Sequence, residues 1–231
     1  MRLIAVDTAL GGCSVAIVDG GTVLAHQARH LGRGHAEHLA PMLDQALADA
    51  GIAASWCEAL AVSVGPGSFT GLRVGLSLVR GLALALARPV VAVTSLAALA
   101  ANVADPDRPA AAPVLAVIDA RRDEAYAQLF SPAAEPLSEA ALLPLDGVAA
   151  LVPPGGALGV GTGVALIAVR AAGLTPAFTG ETAAATDSDA LGVARLAARQ
   201  IAASGLPAAD AAPPGPFYLR APHITMPPPR P

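Results

Sequence analysis

The chain has 231 residues, enough for one large domain or two small lobes that each bury a core. With 54% hydrophobic and only 14% charged residues, it cannot be a disordered chain over most of its length. The formal net charge of −4 leaves no basic footprint for unaided nucleic-acid binding, and all fourteen basic residues are arginines, which excludes a P-loop lysine, a Schiff base and a pyridoxal site.

The first seven residues run from a short apolar stretch straight to an acid, too short for a signal-peptide core, and residues 3–6 are expected as a first strand. Residues 13–18 follow as a second β-rich run. Asp19-Gly20-Gly21 then turns the chain into a third strand over 22–29. The opening is therefore a meander with Asp7 at the tip of its first strand. After Gly32-Arg33-Gly34 the period changes. Leu39, Met42, Leu43, Ala46, Leu47 and Ala50 recur at helical spacing up to Gly51. Residues 59–64 read as a buried strand leading into the turn Gly65-Pro66-Gly67-Ser68. A helix over 70–87 is ended by Pro89, and a strand over 90–93 precedes a helix capped by Thr94 or Ser95. The order βββαβαβα predicts a mixed sheet with helical crossovers. Arg73, Arg80 and Arg88 interrupt the apolar stretch 71–93, which argues against a membrane span.

A Pro-, Asp- and Ala-rich segment at 105–113 reads as a lobe boundary. Beyond it, strands over 114–118 and 124–130 pair around a turn at 119–123. A short helix near 147–151, a strand at 157–160 and a helix after Gly161-Thr162-Gly163 come next, then a longer helix over 189–203. Residues 206–216 read as a linker and 227–231 as disordered. The expected organisation is a first lobe over 1–104, a smaller second lobe over 105–206, and a linker with a flexible tail over 207–231. Cys13 and Cys57 have no ligand spacing and read as reduced thiols. The expectation is a soluble, cytoplasmic protein.

The strongest local feature is the run from Gly65 to Gly75, between a strand and a helix. Its glycines permit tight turning, and the helix start offers free N–H groups to an anion. It matches neither a Walker A loop nor a dinucleotide fingerprint, and it reads equally as a close-packing turn. Gly71 and Gly75, four apart, would form a flat face open to a second helix. Leu72, Val74, Leu76, Leu78, Val79 and Leu82 surround that helix, so it is either enclosed in the core or covered by a partner. His35-Ala36-Glu37-His38 lacks the His-Glu-x-x-His spacing of a zinc protease and reads as an exposed helix start. Asp7-Thr8 could hold magnesium through water, with Asp119 at the corresponding turn of the second lobe. Arg121 and Arg122 occupy that turn where a phosphate clamp wants small residues, so a nucleotide site would be half built. Ser68 lacks the Gly-x-Ser-x-Gly elbow, and no nucleophile triad emerges.

Taken in order, these segments resemble one family. They are Ile4 to Thr8, Cys13 to Ala16, His35 to Met42, Gly65 to Gly75, Ile118 to Tyr126 and the closing Tyr218-Leu219-Arg220. The family is TsaB (YeaZ), the bacterial tRNA threonylcarbamoyladenosine biosynthesis proteins. Asp123 departs from the family, which often has glycine there.

The resemblance implies an α/β, two-lobed actin/Hsp70/sugar-kinase-like (ASKHA) fold of mixed sheets flanked by helices, its second lobe reduced. It implies a non-catalytic scaffold that binds and stabilises TsaD, the catalytic subunit acting on adenosine 37 of tRNAs, with the ATPase TsaE as third member. No cofactor is required of the chain itself, with ATP or ADP placed only at the junction with the catalytic partner, and tRNA is met only within the complex. A homodimer is expected when the chain is alone. The implied partner interface comprises Leu39, Met42, Leu43, Ala46 and Leu47 on the first helix, with Gly71, Leu72, Gly75, Leu78, Val79 and Leu82 on the second. A vestigial nucleotide or anion site would draw on Asp7, Thr8, Gly67, Ser68, Thr70, Arg73, Asp119 and Arg121. No catalytic or metal-binding residue is expected. The rival readings are an autonomous ATP-dependent kinase, a metallopeptidase of the same fold, or a free-standing RNA-binding module.

Overall fold

The computed structural model describes residues 1–103, 112–176 and 187–220. Strands β1 (Arg2–Asp7), β2 (Gly12–Asp19) and β3 (Thr22–His30) form the antiparallel meander. β4 (Ala59–Ser63) and β5 (Val90–Val93) add in parallel on the other side of β1, giving the order β3-β2-β1-β4-β5. The second half repeats the plan. β6 (Val114–Arg121), β7 (Glu124–Phe130) and β8 (Ala141–Pro144) are antiparallel, and β9 (Ala157–Val160) and β10 (Leu174–Pro176) run parallel to β6, in the order β10-β9-β6-β7-β8. With β6 set on β1, the two orders are the same.

Alternation within each strand sorts the helices into layers. On β1, Ile4 and Val6 face α1 (His35–Ala50) and α2 (Phe69–Leu86), where they join Leu39, Leu43, Leu76 and Val79 in one buried cluster. Leu3 and Ala5 point the other way, toward α3 (Ser95–Val103) and α6 (Ala190–Ser204). α6 lies on the first sheet and α3 on the second, packed against each other, so residues of both lobes share one core. The far face of the second sheet is covered by α4 (Leu145–Ala149) and α5 (Val164–Ile167). Within α2, Leu72, Leu76 and Val79 are buried, although among the described helices its length and composition alone would suit a membrane span.

The strands and helices expected from the sequence are present to within a few residues. β8 and β10, four and three residues long, were not expected. The expected lobe boundary falls largely, and the expected disordered 227–231 wholly, outside the described residues. The segment read as a linker after 206 lies along the first lobe instead, through contacts described below. His35 is also not exposed. It is buried at the start of α1, with its Nε2 3.1 Å from the Gly12 carbonyl.

Candidate functional site

β1 ends at Asp7 and the chain passes through Thr8 and Ala9 directly beneath the start of α2. Ser68 caps that helix by accepting from Gly71 N–H at 3.2 Å. The Thr8 hydroxyl donates to the Gly71 carbonyl at 2.7 Å. A Cβ on Gly75 would stand 2.5 Å from Thr8 Oγ1, one on Gly71 would collide with the Thr8 carbonyl, and one on Gly67 with the Ala9 carbonyl. The small face of α2 is therefore filled by the chain's own β1 loop. This corrects the expectation that Gly71 and Gly75 leave room for a partner helix.

Most of the expected interface stripe likewise points inward. Leu39, Met42, Leu43, Ala46, Leu72 and Val79 are each at most 4% exposed, spent on packing α1 and α2 onto the first sheet. Leu47, Leu78 and Leu82 remain half-exposed. What the two helices leave open is a groove of about 500 Å³, lined by Ala36, Leu39, Ala40, Phe69, Thr70, Arg73, Val74, Ser77 and Leu78. Its walls are mainly apolar, and Phe69 is 57% exposed there. Thr70 and Arg73, expected at an anion site, belong to this groove.

Between the lobes lies a second cavity, of about 610 Å³, which brings together Gly67, Ser68, Asp119 and Arg121 with Gly11, His30, Tyr126, Thr162 and Asp187. The space would admit a nucleotide, but of the two acids that would hold its magnesium one is buried away from it and the other is paired. Asp119 accepts from Arg121 N–H at 2.7 Å and pairs with the Arg121 guanidinium at 2.9 Å. Arg121, Arg122 and Asp123 all take left-handed backbone, with φ of 65°, 59° and 58°. Glycine adopts that conformation freely, and an aspartate tolerates it better than an arginine does. Asp7 lies buried behind the cavity wall, one oxygen accepting from Ala9 N–H at 2.8 Å. Burial pushes its carboxyl up to about 6, against the pull of the Ala9 N–H and of the Ser188 and Ser63 hydroxyls. Its other oxygen has no aligned protein partner, nor do the Ser63 and Ser188 hydroxyls. Asp7 does not line the cavity and both Asp119 oxygens are taken up by Arg121, so neither carboxylate presents a free oxygen to a hydrated cation there, and the residues present do not fit a phosphotransfer centre.

Sequence reasoning missed the cleft's other wall. Asp187 is buried, with Oδ2 2.6 Å from His30 Nδ1 and Oδ1 accepting from Gly11 N–H at 3.2 Å. Burial raises its pKa, while the His30 hydrogen bond and charge and the Gly11 N–H pull against that rise. A separation of 157 residues hides such a pair from any local pattern. His26 and Asp189 pair similarly at 3.0 Å, pinning the start of α6 to β3. Among the described residues no cluster of three metal-ligating side chains occurs.

Two copies of one five-stranded plan, with a cleft between them at the ends of β1 and β6, define the two-lobed actin/Hsp70/sugar-kinase-like class. Residues 23–209 match the model of the family TsaD, tRNA N6-adenosine threonylcarbamoyltransferase. Among curated relatives, the tRNA threonylcarbamoyladenosine biosynthesis protein TsaB of Escherichia coli is 40% identical over 126 residues, 54% of this chain and 53% of that protein. The Bacillus subtilis protein of the same name is 33% identical over 130 residues, 56% of this chain and 55% of its own. The matched region thus spans about half the length of these curated relatives. A solved structure, YeaZ from Pseudomonas aeruginosa, superposes with a TM-score of 0.80 at 33% identity, covering 94% of this chain and 99% of that one. The chain belongs to the TsaB (YeaZ) family.

Proposed function

We propose that the chain is a non-catalytic subunit that docks on a TsaD-type transferase and stabilises it in the assembly forming N6-threonylcarbamoyladenosine at position 37 of tRNAs. The observation that carries this reading is the open apolar groove between α1 and α2, in a chain whose family members are named for this pathway. Packing side chains into such a groove removes apolar surface from water on both partners, which is the main drive for association. The docking residues are those that line the groove, Ala36, Ala40, Phe69, Arg73, Val74 and Leu78 among them, with Leu47 and Leu82 at the margin. The buried Leu39, Met42, Leu43, Ala46, Leu72 and Val79 shape the helices from beneath. Without its partner, the same face would pair two copies of the chain. TsaE and tRNA would join only in the full assembly, with ATP or ADP at the junction between subunits, and the setting is cytoplasmic.

An autonomous kinase is disfavoured by the burial of Asp7 away from the cleft and by the pairing of Asp119 with Arg121. A free RNA-binding role is disfavoured by the acidic balance. The test is co-purification with the organism's own TsaD-family transferase. Leu78→Arg and Ala40→Glu, both at accessible positions on the groove, should each weaken capture by at least about tenfold by placing an unpaired charge in an apolar contact. Both variants should keep the wild-type melting temperature to within about two degrees. Undiminished capture by either variant would remove this docking face from consideration.

A further inference from the structure

After α6 the chain folds back along the first lobe as a strap. Arg80 donates to the Pro214 carbonyl from both Nε and Nη2, at 3.2 and 2.7 Å. Further on, Phe217 N–H donates to the Val64 carbonyl at 2.7 Å, just before the glycine-rich loop. Gly65, at φ 112°, admits this approach: a Cβ there would stand 2.7 Å from the Phe217 carbonyl oxygen. Tyr218 then stacks on Phe69, with ring centroids 5.9 Å apart and planes 23° from parallel. The Arg73 guanidinium lies over the same Phe69 ring at 3.7 Å. Two residues beyond, Arg220 pairs with Glu124 on β7 at 2.6 Å, so the tip of the strap is held from both lobes. Phe69 and Arg73 are both groove residues, and Phe69, 57% exposed even beneath the strap, would without the stack be free to change rotamer at the first turn of its helix.

We infer that Tyr218 is a positioning residue of the docking groove: its ring holds Phe69, and through it Arg73, in the orientation an incoming subunit meets, while the Arg220–Glu124 pair anchors the strap tip. The inference rests on the docking reading above and adds the strap to it. Ordering an aromatic anchor before association spares the complex that entropic cost, which is how a residue outside the contact sets its strength.

The test titrates the purified TsaD-family transferase of the same organism against five forms of the full chain: wild type, Tyr218→Ala, Tyr218→Phe, Arg220→Ala and Leu78→Arg. Tyr218→Ala should raise Kd about five- to tenfold, the scale of one lost aromatic stack, while Tyr218→Phe keeps the ring and stays within about twofold of wild type. Arg220→Ala should shift Kd the same way by a smaller factor. A Tyr218→Ala chain that binds like wild type while Leu78→Arg does not would overturn the strap's role and leave the docking face standing. Equal weakening by Tyr218→Ala and Tyr218→Phe would also overturn it, since the ring stack would then not be the cause. Wild-type binding by Leu78→Arg would remove the docking face, and this inference with it.

Discussion

At the scale of single residues, the glycines of α2 separate two kinds of demand. Gly71 faces the Thr8 carbonyl and Gly81 faces open space, although both lie in the same helix. Gly71→Ala should therefore cost about 1–3 kcal/mol through backbone collision. Gly81→Ala should add about 0.5–1 kcal/mol through helix propensity. Urea denaturation of the two variants reads the difference directly, and equal effects would mean that the Thr8–α2 contact is not tight. Asp7 gives a second expectation. Its folded pKa of about 6 lies above the ordinary 3.8, so the fold prefers the protonated form. Its contribution is fully favourable below about 3.8 and is lost as pH rises through about 6. Asp7→Asn keeps an oxygen for the Ala9 N–H and never ionises. It should melt higher than wild type at pH 7–8, with the gain shrinking toward pH 4, as melting temperatures across that range would register.

At the scale of elements, α1 and α2 divide their apolar residues between two purposes. Leu43 belongs to the chain's own core, so Leu43→Ala should cost about 2–5 kcal/mol of stability. Leu78 is half-exposed at the groove and Leu78→Arg should leave stability nearly unchanged while ending association. The sequence made the stripe on α1 visible through its period, and that period marks whichever face is buried by anything, core or partner alike. It could not tell the two apart, and Leu39, Met42 and Leu43, which the resemblance assigned to an interface, lie in the core. The long elements were legible from their period, and the four-residue β5 and β9 from apolar runs set off by Pro89 and by Gly155-Gly156. β8 and β10 were not legible. The glycine-rich run was recognisable as a constraint, but its object was not, because the Thr8 and Ala9 carbonyls that fill it are some sixty residues away in sequence. The cleft's His30–Asp187 wall and the Tyr218–Phe69 stack depend on still longer separations, set only once both sheets have formed.

At the scale of the whole molecule, the two lobes are joined through their interior. Leu3 and Ala5 of the first sheet, Leu96 and Leu99 of α3, and Ile118 and Phe130 of the second sheet belong to one buried cluster. α3 and α6 cross tightly within it, and a Cβ on Gly192 of α6 would collide with the Ala98 carbonyl of α3. Domains joined only by a linker open independently, whereas a continuous core makes local opening as costly as global unfolding. Phe130 is fully enclosed on β7, on the face of the second sheet that packs against α3. Phe130→Ala should cost about 3–5 kcal/mol through the cavity it leaves. If the core is shared, amide exchange in β1 and β4 should accelerate by the same free energy as exchange in β6 and β7, although no residue of the first lobe has changed. Acceleration confined to β6 through β10 would instead mean that α3 and α6 insulate the sheets, and that the strap and the cleft, rather than the core, hold the lobes together.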